Sequence, residues 1–208
     1  MTFSIVASNP ITKELCVATM TCLVAVGEIV PMVIPGVGST AVQAKVKPSN
    51  RFKILELMKN GYSPELAINN VLENDKLKEH RQIIAINHEG SGHVFSGSKT
   101  IDISDYFLGK NFVIAGNMLA SKKVVSSMAT SFEKNNEIFF PKRCLLSLLA
   151  GDKMGGDKRG RMSASLIYSI PNKKYMTLRI DYSSNPLKEL FKALELRYYK
   201  ENEWIFDL

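Results

Sequence analysis

Thr2 is the residue whose position most clearly permits chemistry, because it follows Met1 and opens the alternating stretch Phe3-Ser4-Ile5-Val6-Ala7. If Met1 is removed, Thr2 carries a hydroxyl and a free α-amine on one residue. An α-amine titrates near roughly 7.7–8.0, so it can act as the base that a weakly nucleophilic hydroxyl needs. Thr2 is therefore a candidate nucleophile for amide hydrolysis. The alternative is an edge strand that begins with threonine and has no catalytic role.

A second candidate site is the glycine-rich basic stretch 155–163, which reads Gly-Gly-Asp-Lys-Arg-Gly-Arg-Met-Ser. Arg159 and Arg161 are two residues apart, so on a strand they share a face and could bind one carboxylate or phosphate together. Asp157 could hold one of them in position. The alternative is a tight loop leading into a hairpin, in which Asp157 pairs with an arginine for local order.

Gly116-Asn117 is a third candidate, because it lies between a predicted strand and a predicted helix. Unpaired backbone N–H groups at the start of a helix favour anions. The alternative is that Asn117 only caps the helix.

The composition is that of a globular protein, with 208 residues, of which 45% are hydrophobic and 23% charged. The net charge of +7 favours anionic ligands, but the basic residues are scattered and no nucleic-acid-binding motif is present, which disfavours nucleic acid as a partner. Three cysteines and three histidines without metal spacing predict no disulfide framework and no metal site, and are typical of a cytoplasmic protein. The apolar stretch 15–27 is too short to span a membrane.

Periodicity and turn signals predict strands that alternate with pairs of helices along one domain, residues 1–208. Strands are predicted at 2–8, 14–20, 36–44, 81–87, 92–97, 111–115, 162–170 and 174–181. Helices are predicted at 51–59, 63–74, 119–133, 141–150 and 186–202. Two helix pairs and two strand groups predict an α+β fold of four layers, with the helices outside and the sheets inside. A single sheet with helices on both faces is the alternative.

Several short stretches, in this order along the chain, resemble the domain-of-unknown-function 1028 family (DUF1028), which is placed in the N-terminal nucleophile hydrolase superfamily. They are Thr2–Ala7, Ala25-Val26-Gly27, Gly36-Val37-Gly38 with Gln43-Ala44 and Pro48-Ser49, Gly116–Ala120, and Gly155–Arg161 with Ser163-Ala164.

This resemblance implies a four-layer αββα sandwich in which the Thr2 hydroxyl attacks an amide carbonyl and the α-amine relays the proton. Backbone N–H groups would stabilise the oxyanion, and no cofactor is implied. The residues expected to bind substrate or order the site are Gln43, Asn117, Asp157, Arg159, Arg161 and Ser163.

The sequence also departs from related patterns near the candidate site. Proteasome-like members of the superfamily place a lysine where this chain has Val33, Ile34 and Pro35. Members of the family usually carry Gln where this chain has Met162, and Asn where it has Lys47. These departures bear on whether the α-amine has a partner and whether a family ligand is shared.

The first functional hypothesis is therefore an amidohydrolase acting on a small or peptide-like amide through Thr2. The alternative is a catalytically silent protein of this fold that binds a small anionic ligand or a partner. No membrane association is expected, and assembly into a homo-oligomer is plausible for a sandwich of this kind.

Overall fold

The structure is a computed structural model that describes residues 2–170, 172 and 176–203. The strands are β1 (Phe3–Asn9), β2 (Glu14–Thr21), β3 (Pro31–Ile34), β4 (Gly38–Ala44), β5 (Arg81–Asn87), β6 (Gly92–Ser96), β7 (Asp105–Gly109), β8 (Phe112–Gly116), β9 (Ser163–Ser169) and β10 (Met176–Ile180). The α-helices are α1 (Val26–Ile29), α2 (Ser49–Lys59), α3 (Pro64–Glu73), α4 (Lys123–Lys134), α5 (Phe140–Lys153) and α6 (Pro186–Glu203), and a 3₁₀ turn covers Lys78–His80.

The strands form two antiparallel sheets. The larger sheet has the order β10-β9-β2-β1-β8-β7, and the smaller has the order β3-β4-β5-β6. Strand β1 lies in the middle of the larger sheet, with Phe3 opposite Met20 of β2 and Gly116 of β8. Thr2 therefore lies at the end of a central strand, between the ends of both neighbours.

Alternation along the strands divides the apolar residues into three clusters. Phe3, Ile5 and Ala7 of β1 join residues of α4, α5 and α6 in the first cluster. Val6 lies on the opposite face of β1 and belongs to a second cluster, which contains residues of both sheets. A third cluster joins the other face of β4 and β5 to α2 and α3. Helices thus pack against residues of each sheet.

Strand β3 shows how the sequence accommodates proline. Pro31 is the first residue of β3, and β3 is an edge strand of the smaller sheet. Proline cannot donate to a ladder, so the first position of an edge strand is where it is tolerated. The sequence predicts no strand here, because Pro31 and Pro35 argue against a central strand; β3 is compatible with them as an edge strand, but it is not predicted.

Two further elements differ from the predictions. The sequence predicts no strand at Asp105–Gly109, but these residues form β7 and pair with β8. Helix α4 begins at Lys123 rather than at Leu119, because Leu119 forms a β-bridge with Asp157 of the glycine turn instead of starting the helix. There Ala120 N donates to Gly156 O at 3.0 Å, and Lys158 N donates to Met118 O at 3.1 Å.

The other boundaries agree with the predictions to within a few residues. Ser63 caps α3 by accepting a hydrogen bond from Leu66 N, as the Ser-Pro-Glu start predicts. The predicted hinge at Pro171 and the predicted first residue of the last strand, Lys174, fall outside the described residues. Across the described parts of the chain, none of the helices combines the length and apolarity that crossing a membrane requires.

Candidate functional site

Several strands of both sheets end at the same place, and their end residues are polar and buried. In the larger sheet Thr21 of β2 lies opposite Ser163 of β9. In the smaller sheet Gln43 of β4 lies opposite Gln82 of β5. The hydrogen bonds described below join these ends to Thr2, so the candidate site lies where the two sheets meet.

Thr2 itself is 2% exposed and is held mainly through its carbonyl oxygen. That oxygen accepts hydrogen bonds from Asn117 N at 3.1 Å, Asn117 Nδ2 at 3.4 Å and Gln43 Nε2 at 3.4 Å. The Thr2 hydroxyl donates to Thr21 Oγ1 at 3.4 Å. These bonds fix the backbone of Thr2 while its hydroxyl has only a long contact, and its described partners are uncharged.

Three buried side-chain amides, Gln43, Gln82 and Asn117, form what we call the amide cluster. Gln43 Nε2 donates to Gln82 Oε1 at 2.7 Å and to Ala115 O at 3.1 Å. Asn117 Nδ2 donates to the same Gln82 oxygen at 3.0 Å. Gln82 Nε2 in turn donates to Gly116 O at 3.1 Å. Backbone carbonyls accept only, so these contacts determine which end of each amide carries the oxygen.

The amide cluster continues into hydroxyl groups on the larger sheet. Ser4 Oγ lies 2.7 Å from both Gln43 Oε1 and Thr19 Oγ1. A hydroxyl carries one proton, so Ser4 donates to one oxygen and accepts from the other. Polar side chains from both sheets therefore share one connected network beside Thr2.

Within the described part of the chain, one side-chain atom of this network has no hydrogen-bond partner. Asn117 is completely buried, and its Oδ1 has no hydrogen-bond donor. Asn117 does not cap a helix, contrary to the sequence-based alternative, because α4 starts at Lys123 with Lys122 as its cap residue. The helix-start anion site predicted at Gly116-Asn117 is wrong for the same reason, and Asn117 N is bonded to Thr2 O instead.

Gln82 belongs to the cluster but is not identified from the sequence alone. The available signal is its position in a strand that continues with Ile83 and Ile84. A glutamine on the buried face of such a strand must find hydrogen-bond partners.

The glycine turn orders itself around Asp157, which is 3% exposed. Its carboxylate accepts from Cys22 N at 3.1 Å, from Arg159 N at 3.0 Å and from Arg159 Nε at 3.1 Å, and forms an ion pair with the same guanidinium at 2.7 Å. The hydrogen bond that Arg159 donates to the Asp157 carboxylate raises the pKa of Arg159. Asp157 thus ties the turn to the residue after β2, which agrees with the local-order alternative.

The two arginines do not converge on one point. Arg161 Nε contacts Asp152 Oδ1 at 2.5 Å, whereas Arg159 is held by Asp157. They were expected to share a face of a strand, but β9 starts only at Ser163, and the preceding residues form a turn. Each guanidinium therefore already has a carboxylate.

Ser163 holds the segment that follows β2. Its hydroxyl donates to Leu23 O and accepts from Val26 N at 3.0 Å. Gly27 follows directly, and a Cβ there would lie 2.7 Å from Ser165 Oγ. This close packing explains why residue 27 is a glycine. Through its two hydrogen bonds, Ser163 connects the start of β9 to the segment that leads into α1.

No cluster of three or more His, Cys, Asp or Glu side chains suited to a metal ion occurs within residues 2–170 or the later described positions. Cys16 and Cys144 are buried free thiols, and Cys22 is half-buried. Burial and the neighbouring Cys144 raise the pKa of Cys16 well above its ordinary value, so this thiol is protonated and unreactive.

Comparison with known proteins supports the fold and the family. A crystal structure of a DUF1028-family protein from Silicibacter pomeroyi is 30% identical, covers 94% of this chain and 85% of its own, and superposes with a TM-score of 0.88. Anbu (ancestral beta-subunit) from Yersinia bercovieri is 8% identical over 99% of each chain, with a TM-score of 0.46. A Gly-1 mutant of Anbu from Hyphomicrobium is 11% identical over 100% of this chain and 99% of its own, with a TM-score of 0.48.

No protein with a curated description matches this sequence. The family model for DUF1028, a family of unknown function, matches residues 2–190. With the family match covering most of the chain, and a solved member of similar sequence and fold, this protein belongs to the DUF1028 family.

Proposed function

We propose that this protein is an N-terminal nucleophile amidohydrolase of αββα architecture, and that Thr2 is its nucleophile once Met1 is removed. The three apolar clusters support the four layers, since each sheet shares one cluster with helices and one with the other sheet. The substrate would be a small or peptide-like amide, and the buried protonated Cys16 suits a reducing cytoplasm.

The observation that carries this proposal is the way Thr2 is held. Three donors fix its carbonyl oxygen, whereas its hydroxyl has a single long contact to Thr21. A nucleophile needs an oriented backbone and a hydroxyl that is not committed to a strong partner. A purely structural threonine at the end of a strand has no need of two buried amides.

The chemistry follows from the two groups of an N-terminal threonine. The neutral α-amine takes the proton of Oγ1 as Oγ1 bonds to the carbonyl carbon of the substrate. The protonated amine then gives that proton to the departing nitrogen as the C–N bond breaks, which leaves an ester on Thr2. Water, deprotonated by the same amine, adds to the ester and releases the acid, regenerating the hydroxyl.

The first test is the state of the N-terminus in protein expressed without a tag. Intact mass shows whether Met1 is absent. In an unmodified polypeptide, periodate removes carbon atoms at an N-terminal Ser or Thr, whose free amine and hydroxyl are on adjacent carbons, whereas its oxidation of Met and Cys adds oxygen. Loss of the threonine side chain from unfolded protein therefore identifies a free Thr2 amine. Retention of Met1 would contradict the proposal.

Turnover is tested with a panel of amide and peptide-like substrates and an electrophilic probe. Thr2→Ala should reduce turnover by at least about 10³-fold, because the bond-forming atom is lost. Thr2→Ser is the matched control, since it keeps the hydroxyl and the amine, and should retain measurable turnover and labelling. Equal activity of wild type and Thr2→Ala would contradict a role for Thr2.

A catalytically silent binding protein is the second candidate. It is favoured by the uncharged partners of Thr2 and by the segment Val33-Ile34-Pro35, which has no lysine in the region where proteasome-like hydrolases carry one. The pairing of Arg159 and Arg161 with carboxylates weakens the version in which these arginines bind an anion. This candidate predicts that a ligand bound by the wild type binds Thr2→Ala equally well, with no ligand turnover.

A further inference from the structure

The amide cluster ends in one unpaired buried acceptor, Asn117 Oδ1. Leaving such an oxygen without a donor is costly in a protein interior, and proteins rarely do so. The orientation of this amide is not arbitrary, because its Nδ2 is required as a donor by Gln82 Oε1 at 3.0 Å. The oxygen therefore stays on the side away from Gln82.

A donor is expected close to this oxygen. Asn117 contacts the carbonyl of Thr2 through both N and Nδ2, at 3.1 and 3.4 Å. The nitrogen and the carbonyl oxygen of one residue lie within about 4 Å of each other, given backbone bond lengths. Removal of Met1 replaces one peptide N–H at this nitrogen with an amino group that has two or three.

We propose that Asn117 Oδ1 accepts a hydrogen bond from the α-amino group of Thr2 in the chain that begins at Thr2. Asn117 is then a positioning residue, which holds the amine beside Oγ1 through an oxygen that the rest of the amide cluster orients. The inference rests on the proposed function in one respect only, namely that the working chain has a free Thr2 amine.

Charged groups near the cluster are already engaged with other partners. Asp105 of β7 accepts from its own neighbour, Tyr106 N, at 2.9 Å. Asp157 is bound by Arg159, and Arg81, next to Gln82, forms an ion pair with Asp75 at 3.0 Å. Substitution of Asn117 should therefore change the surroundings of the Thr2 α-amine more directly than substitution of these charged residues.

The test measures the pKa of the Thr2 α-amine itself. Protein with Thr2 as its first residue is made from a fusion cut directly before Thr2, so that processing in the cell is not needed. Threonine labelled with ¹⁵N gives one α-amine nitrogen, distinct from the backbone amides, and its shift is followed against pH.

Asn117→Ala removes the acceptor and should lower the pKa of the amine by about one to two units, because the protonated amine loses a charged hydrogen bond. Asn117→Asp should raise it by about one to three units, through a nearby carboxylate. Asn87→Asp is the matched control. It adds the same charge at the opposite end of β5, about 16 Å along the strand from Gln82, and should change the pKa by a few tenths at most.

An unchanged pKa in Asn117→Ala would overturn the inference, whether or not Asn117→Asp folds. Turnover measured on the same samples separates this result from the fate of the proposed function. If the pKa values follow the predicted order but no turnover is seen, the hydrogen bond is supported and the proposed hydrolase activity is contradicted. If turnover is seen but the pKa of the amine does not change in Asn117→Ala, the hydrolase activity is supported and the hydrogen bond is contradicted.

Discussion

Gln82 is the residue on which the amide cluster depends most. Its Oε1 accepts from Gln43 and Asn117, and its Nε2 donates to Gly116 O and to Ser96 Oγ at 3.1 Å each. An amide with both ends satisfied contributes modestly to stability, whereas its loss leaves several buried groups without partners.

Replacing Gln82 by methionine should therefore lower the free energy of unfolding by about 2–4 kcal/mol, although the side-chain volume is nearly conserved. Urea unfolding monitored by circular dichroism measures this difference. Asn69→Ala, at an exposed position of α3, is the control and should change stability by less than about 0.5 kcal/mol. A loss below 1 kcal/mol for Gln82→Met would mean that the cluster relaxes or takes up water.

At the scale of elements, a buried ion pair joins the end of α3 to the start of β5. Asp75 accepts from Arg81 Nε at 3.0 Å and from Arg81 Nη2 at 3.2 Å, and the two side chains are 5% and 7% exposed. Asp75 also accepts from Leu77 N at 3.0 Å. Burial acts to raise the pKa of Asp75, but the hydrogen bonds from Arg81 and Leu77 outweigh it, and the pKa is lowered.

Asp75→Asn should cost about 3–5 kcal/mol, because Arg81 stays buried without its counter-charge. Lys47 is half-exposed, and its Nζ lies 3.7 Å from Asp75 Oδ2. Lys47→Met should therefore lower the free energy of unfolding by less than about 1 kcal/mol. Urea midpoints of the purified variants at neutral pH measure both effects.

The ion pair between Asp75 and Arg81 also predicts how the free energy of unfolding depends on pH. Because the folded pKa of Asp75 lies below its unfolded value of about 3.9, its contribution is complete above that value and is lost as pH falls through the folded pKa. Urea midpoints measured from pH 6 to pH 2.5 should fall more steeply for wild type than for Asp75→Asn. Parallel curves would show that Asp75 titrates normally.

Elements with a buried alternating face were predictable, and those defined by distant contacts were not. Strands β1, β2, β5 and β9 have apolar patterns that already indicate strands. Strand β7 lacks such a pattern, since Tyr106, Phe107 and Leu108 are all exposed and its strand character comes from pairing with β8. The late start of α4 likewise depends on hydrogen bonds to the glycine turn, which lies far along the chain.

For the candidate site, the sequence predicts the residue types better than their partners. Thr2, Gln43 and Asn117 do lie together, as the resemblance implies. Arg159 and Arg161 separate, because a two-residue spacing brings side chains together only on a strand. Gln82 was missed, since its role arises from pairing opposite Gln43, which local sequence does not reveal.

At the scale of the whole molecule, the count of 27 lysines and arginines overstates how many cationic groups are free to bind polyanions. Arg81, Arg159, Arg161 and Arg179 all form ion pairs with aspartates. A guanidinium held by a carboxylate is not available to fork onto a phosphate unless that pair is broken.

Nucleic acid should therefore bind weakly and only at low salt. Fluorescence anisotropy with a labelled single-stranded oligonucleotide should show no saturable binding at about 0.2 M salt, where nonspecific affinity has fallen steeply. Saturable binding that persists at this salt concentration and weakens in Arg161→Ala would contradict this and support a nucleic-acid partner.

Because β1 is a central strand, the time available for removing Met1 depends on when its second neighbour, β8, is synthesised. Strand β1 can pair with β2 as soon as Thr21 has been made, but Asn117, which covers the Thr2 carbonyl, lies 115 residues beyond Thr2. At about 5–20 residues per second, the ribosome takes roughly 6–23 s to make that stretch. A two-stranded hairpin alone is barely stable, so the N-terminus stays accessible to an aminopeptidase during that interval. Once β8 has docked, Thr2 is 2% exposed, so we expect the removal of Met1 to become slow. We therefore expect the fraction of copies with a free Thr2 amine to depend on whether an aminopeptidase removes Met1 before the second half of the chain has folded.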